Sequence, residues 1–407
     1  MNLVEPVIAF QTELQQIRRD LHAHPELCYQ ERRTADAVAA KLGEWGIPFV
    51  LGLGVTGVIG VIKNGNSARA IGLRADMDAL PIQEVNRFPH ASVNPGKMHA
   101  CGHDGHTAML LGAAHYLSRQ RDFDGTVYLI FQPAEEGGGG ARRMIEDGLF
   151  EKFPMDAVYG MHNWPGMAVG TFGVTPGPMM ASSNEFHVVV KGRGAHAAQP
   201  HKGIDPVMIA VQIAQSWQTI ITREKSPLDT AVLSITQIHA GSATNVIPDQ
   251  ATLVGTVRTF NTPVLDLIER RMCEIAQHTA AAFNADVDFA FERNYPPLIN
   301  HAKETAFAVQ VMQALVGVDQ VDASVEPTMG AEDFAFLLQE KAGCYVFLGN
   351  GDGEHREGGH GLGPCQLHNA SYDFNDTLLP IGTSYWVRLA ERSLPLSGSG
   401  SGSGSAS

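Results

Sequence analysis

The chain has 407 residues, 44% of them hydrophobic and 18% charged, which is enough apolar material for a packed core and excludes a fibrous or disordered chain. Lys and Arg number 29 against 43 Asp and Glu, and the formal charge of −14 opposes phosphate-backbone binding, so no nucleic-acid partner is expected. The five cysteines are odd in number and widely spread, unlike a disulfide framework, and fit a reducing cytoplasm.

At about 150 residues per domain the length predicts two or three domains. The N-terminus lacks the charged, apolar and cleavage-site order of a signal peptide. No apolar run approaches the roughly 18 residues that cross a bilayer, so a soluble chain with no membrane partner is expected. Residues 397–407 read as a Gly/Ser linker of the kind appended in recombinant expression, and they are set aside.

Over residues 55–156, short apolar runs alternate with helical patterns, which predicts an α/β domain with a mostly parallel sheet flanked by helices. Residues 71–75 lead into Asp76 and Asp78, residues 127–131 into Glu135 and Glu136, and residues 157–161 into His162. In buried parallel strands these groups collect at the carboxyl ends, where open α/β sheets place their ligand crevice. Residues 99–106 precede an apolar helical stretch and are expected at a helix N-terminus. Residues 184–295 change rhythm and read as βαββαβ, a ferredoxin-like unit. A helix near 307–315, a buried strand at 344–348 and a helix at 378–391 then rejoin the first sheet. The expected organisation is a discontinuous catalytic domain, 1–183 with 297–396, interrupted by a smaller domain at 184–296.

Some motifs fall away. Gly52-Leu53-Gly54-Val55-Thr56-Gly57 matches G-x-G-x-x-G, but a strand pattern follows it instead of a helix, so it reads as a turn. Gly137 to Gly140 lacks the Lys-Ser/Thr of a phosphate loop and follows two carboxylates, so close backbone approach or loop freedom is expected. His22 and His24, ahead of Pro25, are expected to be exposed structural histidines. Met179 and Met180 read as hinge or pocket packing.

Cys101-Gly102-His103-Asp104-Gly105-His106 carries more. Thiolate and imidazole are preferred ligands of zinc and similar metals, and the glycines allow close approach. Alone it reads equally as a histidine-rich helix cap; with Glu135-Glu136, His162 and Asp76/Asp78 at predicted strand ends, it points to a metal. Adjacent glutamates at the end of a buried strand repel and need a cation or a proton. On an extended chain they point to opposite sides, so one can ligate while the other moves protons.

At these residues the chain resembles the zinc/manganese amidohydrolases and peptidases that include aminoacylase, hippurate hydrolase and the auxin-conjugate hydrolases. The shared stretches are residues 72–81, 98–106, 131–136, 194–198, 244–248, 329–334 and 367–369. The resemblance implies that Cys101, His103, Glu136, His162 and His368 are the metal ligands, that Glu135 is the general base, and that Asp78 orients a histidine ligand. It makes His196, from the lid and the partner subunit, the group that meets the oxyanion. Asn245, Arg258 and Gly330 become substrate contacts. It also implies that the inserted domain is a lid and dimer interface, that the chain forms a homodimer or dimer-based oligomer, and that each subunit holds two divalent ions, with Mn, Zn, Co and Ni undistinguished. Asp76 stands where many relatives have His, and Cys101 where many have a bridging Asp, as in the hippurate and auxin-conjugate branch. The implied activity is hydrolysis of N-acyl amino acids by attack of metal-activated water. A dipeptidase or carboxypeptidase on the same fold, or a non-catalytic binding protein, are the alternatives.

Overall fold

The structure, a computed structural model, describes residues 1–396, so the Gly/Ser tail lies outside the described residues. The chain divides into two compact units. The first comprises Met1–Gly177, Asn300–Glu326 and the described residues from Phe336 onward; the second comprises Pro178–Ile299 and Pro327–Ala335.

The strands of the two main sheets, in chain order, are β1 (Phe49–Leu53), β2 (Gly57–Asn64), β3 (Ala70–Asp76), β4 (Gly125–Gln132), β5 (Ala157–Pro165), β6 (Phe172–Gly173), β7 (Ser183–Lys191), β8 (Ala231–Ala240), β9 (Gln250–Thr259), β10 (Asp286–Tyr295), β11 (Val321–Asp322) and β12 (Ala342–Gly351). The helices used below are α1 (Gln11–Ala23), α2 (Arg32–Glu44), α3 (His103–Arg119), α4 (Pro206–Thr219), α5 (Thr262–Ala282), α6 (Ala302–Val316) and α7 (Leu379–Ser393).

In the first unit an eight-stranded sheet runs β1-β2-β4-β3-β5-β12-β6-β11. Its centre, β4-β3-β5-β12, is parallel, while β1, β2 and β4 pair antiparallel and β6 runs against β12. Every residue of β3 is buried, as expected of a central strand covered on both faces. The Gly52–Gly57 pattern is the β1–β2 hairpin, with Gly52 and Gly54 at φ 93° and 64°, so the turn reading holds. Helix α3 is buried from His103 to Ala114, apolar all round from Ala108 to Ala114, and packs on α1 and α7. Its N-cap, Gly102, has φ 87°, and a Cβ there would fall 2.2 Å from Asn163 Oδ1, so only glycine lets the helix start this close to β5.

In the second unit, β7, α4, β8, β9, α5 and β10 form an antiparallel sheet ordered β8-β9-β7-β10, which is the βαββαβ order read from the sequence. Phe186, Val188, Ile213, Trp217, Ile268 and Met272 fill its core. No described helix is long and apolar enough to cross a membrane. None of the five cysteines forms a disulfide.

His22 corrects the sequence reading. It is fully buried, while His24 is half-buried. The inward face of α1 carries Leu14, Arg18, Leu21 and His22, so a cation and an imidazole share the stripe that should be apolar. Arg18 donates to Asp376 Oδ1 at 2.7 Å, Asp373 Oδ1 at 3.0 Å and Asp104 Oδ2 at 3.4 Å. His22 contacts Asp104 Oδ2 at 2.9 Å through Nδ1 and Glu84 Oε1 at 3.3 Å through Nε2. Burial opposes protonation of His22, but Asp104 and Glu84 outweigh it and push its pKa up to about 10. The stabilisation from this charge is therefore full below about pH 6.5, the ordinary imidazole value, and vanishes as pH rises through about 10. We expect His22→Gln to lower the urea midpoint most at pH 6, with the gap from the parent closing by pH 10. A gap that stays constant with pH would contradict a charged His22.

Candidate active site and metal centre

Three neighbouring parallel strands deliver the polar groups to one edge of the first unit. Asp76 ends β3, and Asp78 follows it by two positions; Glu135 and Glu136 follow β4; His162 lies within β5, which continues to Pro165. Cys101 precedes α3 and His103 opens it. His368 sits in a loop at φ 60°, tied down by its N–H to Ala100 O at 2.8 Å. The structure thus brings together every metal ligand that the sequence nominated.

The ligand-capable atoms form several groups of three, Asp76 with His103 and His106 among them, and two of the groups overlap at Cys101. The atoms of Cys101, His103 and His162 lie within 4.8 Å of one another, as do those of Cys101, Glu136 and His368. Cys101 belongs to both, so its thiolate could serve either group. Its Sγ is 3.3 Å from His162 Nε2, and His368 Nε2 is 3.1 Å from Glu136 Oε1. Glu135 shares a third group with His103 and Glu136 and belongs to neither triad that contains Cys101.

The imidazoles are aimed by backbone carbonyls. His103 Nδ1 meets Asp78 O at 2.9 Å and His162 Nδ1 meets Asn163 O at 2.6 Å. A proton on each Nδ1 leaves Nε2 with its lone pair directed into the cluster. His103 Nε2 is buried and has no hydrogen-bond partner, as a metal ligand without its ion would be.

The glutamates depart from the extended-chain expectation. They occupy a turn after β4, not a strand, because Asp78 bends the chain: its Oδ1 accepts from Glu135 N at 3.0 Å and its Oδ2 from Glu136 N at 2.8 Å. Ala134 enters the turn at φ 54°. The following glycines fit the close-approach reading, since a Cβ on Gly140 would lie 1.7 Å from Pro133 O and one on Gly138 2.2 Å from Cys28 Sγ. Glu135 and Glu136 therefore differ by side-chain direction within a turn.

The electrostatics call for a cation. Burial and then Glu136, Glu135 and Asp76 push the Cys101 thiol well above its ordinary range. Burial and the neighbouring His106 push His162 well below the usual imidazole value. Burial opposes ionisation of Asp76, yet His103, Arg74 and His106 hold it well below the carboxylate range. A divalent cation reverses the penalty on the thiolate, and one thiolate, three imidazoles and a carboxylate form a donor set suited to zinc-like or manganese-like ions. The residues fit the group.

In the second unit, His196 is exposed, and the ribbon Ala195–His196/Val246–Ile247 sets it beside Asn245, whose carbonyl accepts from Ala197 N at 3.0 Å. Arg258 is not brought to them. Gly194 N donates to Asp249 Oδ1 at 2.8 Å, which ties the ribbon to the Gln250 end of β9. Arg258 stands eight positions along that strand, about 26 Å at roughly 3.3 Å per residue. It is half-buried and donates to Thr256 Oγ1 and Val257 O. Gly330 O accepts from Ala181 N at 2.9 Å.

Sequence reasoning missed Arg74 and Glu31, both buried. Arg74 holds Gln132 Oε1 at 2.8 Å and Asp76 Oδ2 at 2.7 Å, and its signal was a lone cation inside an apolar strand pattern. Glu31 gave no periodic signal, since it ends a turn just ahead of α2.

The Asp78 carboxylate accepts both turn amides, and its Oδ1 also lies 3.3 Å from His103 Nδ1. Asp78→Ala is expected to weaken divalent-metal affinity about 10–100-fold, the usual effect of losing a group that orients a ligand, as read by competition with a chelator. Unchanged affinity in a folded variant would refute that role.

The chain matches Peptidase family M20/M25/M40 over residues 72–392. It is 42% identical over 396 residues to the hippurate hydrolase of Campylobacter jejuni, covering 97% of this chain and 100% of that protein. It is also 42% identical over 372 residues to an N-acetyl-L-cysteine deacetylase of Bacillus subtilis, covering 91% and 85%. The crystal structure of Bacillus subtilis YXEP, described as a dinuclear metal binding peptidase, superposes with a TM-score of 0.81 at 36% identity, over 95% of this chain and 99% of that one. With its parallel-centred sheet, clustered ligands and near full-length relatives, this chain belongs to the M20/M25/M40 peptidase family.

Proposed function

We propose that the protein is a metal-dependent amidohydrolase that cleaves the amide bond of N-acyl amino acids, yielding a carboxylic acid and a free amino acid. The observation that carries this reading is the pair of triads sharing Cys101, with the Glu135 carboxylate close by but outside both. One ion would be held by Cys101, His103 and His162, the other by Cys101, Glu136 and His368. Bound divalent cations supply Lewis acidity and lower the pKa of water from about 15.7 to about 7. Manganese or zinc suits this mixed donor set.

Glu135 takes the proton of the attacking water and delivers it to the departing amine, so that one carboxylate serves as base and then acid. His196 donates to the oxyanion, a contact whose loss costs about 10²–10³ in turnover. Asn245 and Arg258 hold the substrate carboxylate, and Gly330 lines the same subsite. The separation of Arg258 from His196 and Asn245 along β9 supports a site completed by two copies of the chain, with the second unit serving as lid and dimer interface. Five cysteines without a disulfide suit the cytoplasm.

The YXEP structure's description as a peptidase favours a second reading, hydrolysis of dipeptides or C-terminal residues by the same centre. A panel of hippurate, N-acetyl amino acids and dipeptides separates the two by kcat/KM. Glu135→Gln should keep its metal and lose turnover by at least about 10², the usual worth of a positioned base. A variant within a few fold of the parent would remove Glu135 from the reaction. His196→Ala and Glu135→Gln, each inactive alone, should recover about one quarter of wild-type activity when mixed and allowed to exchange, since half the dimers then carry one intact site. Verified heterodimers without activity would rule out a shared site.

A further inference from the structure

Glu31 lies outside the metal cluster and has no part in the reaction above, yet its carboxylate is buried at the foot of the turn that carries Glu135. Oε1 accepts from Ala134 N at 2.9 Å and from Tyr29 N at 2.9 Å; Oε2 accepts from Thr56 Oγ1 at 2.6 Å. The three donors come from three separate segments, the turn ahead of α2, the β1–β2 hairpin and the turn after β4.

Backbone strain gathers at the same point. Among the described residues only five non-glycine residues have positive φ, and three of them, Tyr29 at 59°, Val55 at 79° and Ala134 at 54°, either donate to Glu31 or adjoin the residue that does. The left-handed region is costly for residues with a Cβ, above all for β-branched valine, so these conformations persist only where neighbouring groups over-determine them. Tyr29 adds a second tie, its hydroxyl donating to Gly138 O at 2.8 Å, while Gly140 N donates to Ala134 O at 3.0 Å. Asp78 therefore grips the turn at residues 135 and 136, and Glu31 grips it one residue earlier.

We propose that Glu31 is a positioning residue for the general base: by holding the Ala134 amide through Oε1 it fixes the left-handed entry to the turn and, through it, the direction of the Glu135 side chain. This inference rests on the amidohydrolase reading. A base displaced by about 1 Å costs on the order of 10²-fold in rate while leaving substrate affinity alone, because the base acts in the transition state.

Four variants test it on whichever amide the wild-type enzyme hydrolyses best, with kcat, KM, bound metal and thermal midpoint measured for each. Glu31→Ala and Glu31→Asp, which remove the Oε1 contact or draw it back on a shorter side chain, should lower kcat by about 10–100-fold with KM within about threefold and metal content unchanged. Glu31→Gln should return most of that loss, since its carbonyl oxygen can still accept both amides while its NH2 donates to Thr56 Oγ1. Thr56→Val removes a buried hydrogen bond to the same carboxylate but spares Oε1. It should lower the thermal midpoint yet leave kcat within about twofold. If kcat instead falls in step with the midpoint across all four, or if Glu31→Ala turns over normally, Glu31 is only a structural residue and the proposal is overturned. Glu135→Gln, run in parallel, separates the two claims: normal turnover there, or no amide hydrolysis by the wild type, defeats the amidohydrolase reading and this inference with it, whereas loss there with normal Glu31→Ala defeats this inference alone.

Discussion

The site depends on one carboxylate placed between two strands. Asp78 accepts the amides of Glu135 and Glu136 with its two oxygens and holds His103 through its own carbonyl, so one short segment after β3 orients the proposed base and two proposed ligands. That placement follows from sheet register, since β3 and β4 pair in parallel with Asp76 opposite Gln132. Two residues beyond each partner lie Asp78 and Ala134, and the turn closes there. A one-residue slip would turn every side chain of β3 to the other face and leave the amides without an acceptor. The register is secured far from the chemistry, by the buried side chains of a strand that tolerates no exposure.

Charge is allotted with the same economy. The two fully buried arginines serve the outer carboxylates: Arg74 holds Asp76, and Arg18 holds Asp104, Asp373 and Asp376. Because Asp104 follows His103 directly on α3, the Arg18–His22 network also fixes the first turn of the helix that presents a metal ligand. Burial and then the neighbouring carboxylates drive the pKa of the Cys101 thiol up, a penalty on the thiolate that a divalent cation would reverse. The pieces are complementary: guanidinium groups pair with Asp76 and Asp104, while the Cys101 thiol and Glu136 sit against the imidazoles of His162 and His368.

How much of this was legible in the sequence depended on the range of the interaction. Local patterns carried the parallel strands, the βαββαβ unit and the ligand-bearing segments, because each rests on periodicity or on ligand chemistry within a few residues. The turn at Glu135 and Glu136 was misread as extended chain, since its shape comes from Asp78, 57 positions away. His22 was misread as exposed because its partners, Asp104 and Glu84, arrive from distant segments. A signal did exist there: Arg18 and His22 fall on the same helical stripe as Leu14 and Leu21, and a charged pair on an apolar stripe marks a buried network. Glu31 carried no such mark, because nothing near it in sequence identifies a carboxylate that binds three separate loops.

The manner of attachment bears on robustness. The catalytic turn is held by carboxylate oxygens accepting backbone amides, from Asp78 on one side and Glu31 on the other. Such bonds carry directional information that an ion pair between flexible side chains lacks, and buried groups are screened little by salt. Backbone donors also have no titration of their own and no rotamer freedom to lose. Precision at the base is thus bought from the main chain, while the groups expected to meet the substrate, His196 and Asn245, stand on a short exposed ribbon of the second unit. The division separates two demands: rigid main-chain anchoring of the turn at Glu135, and an accessible surface on the second unit.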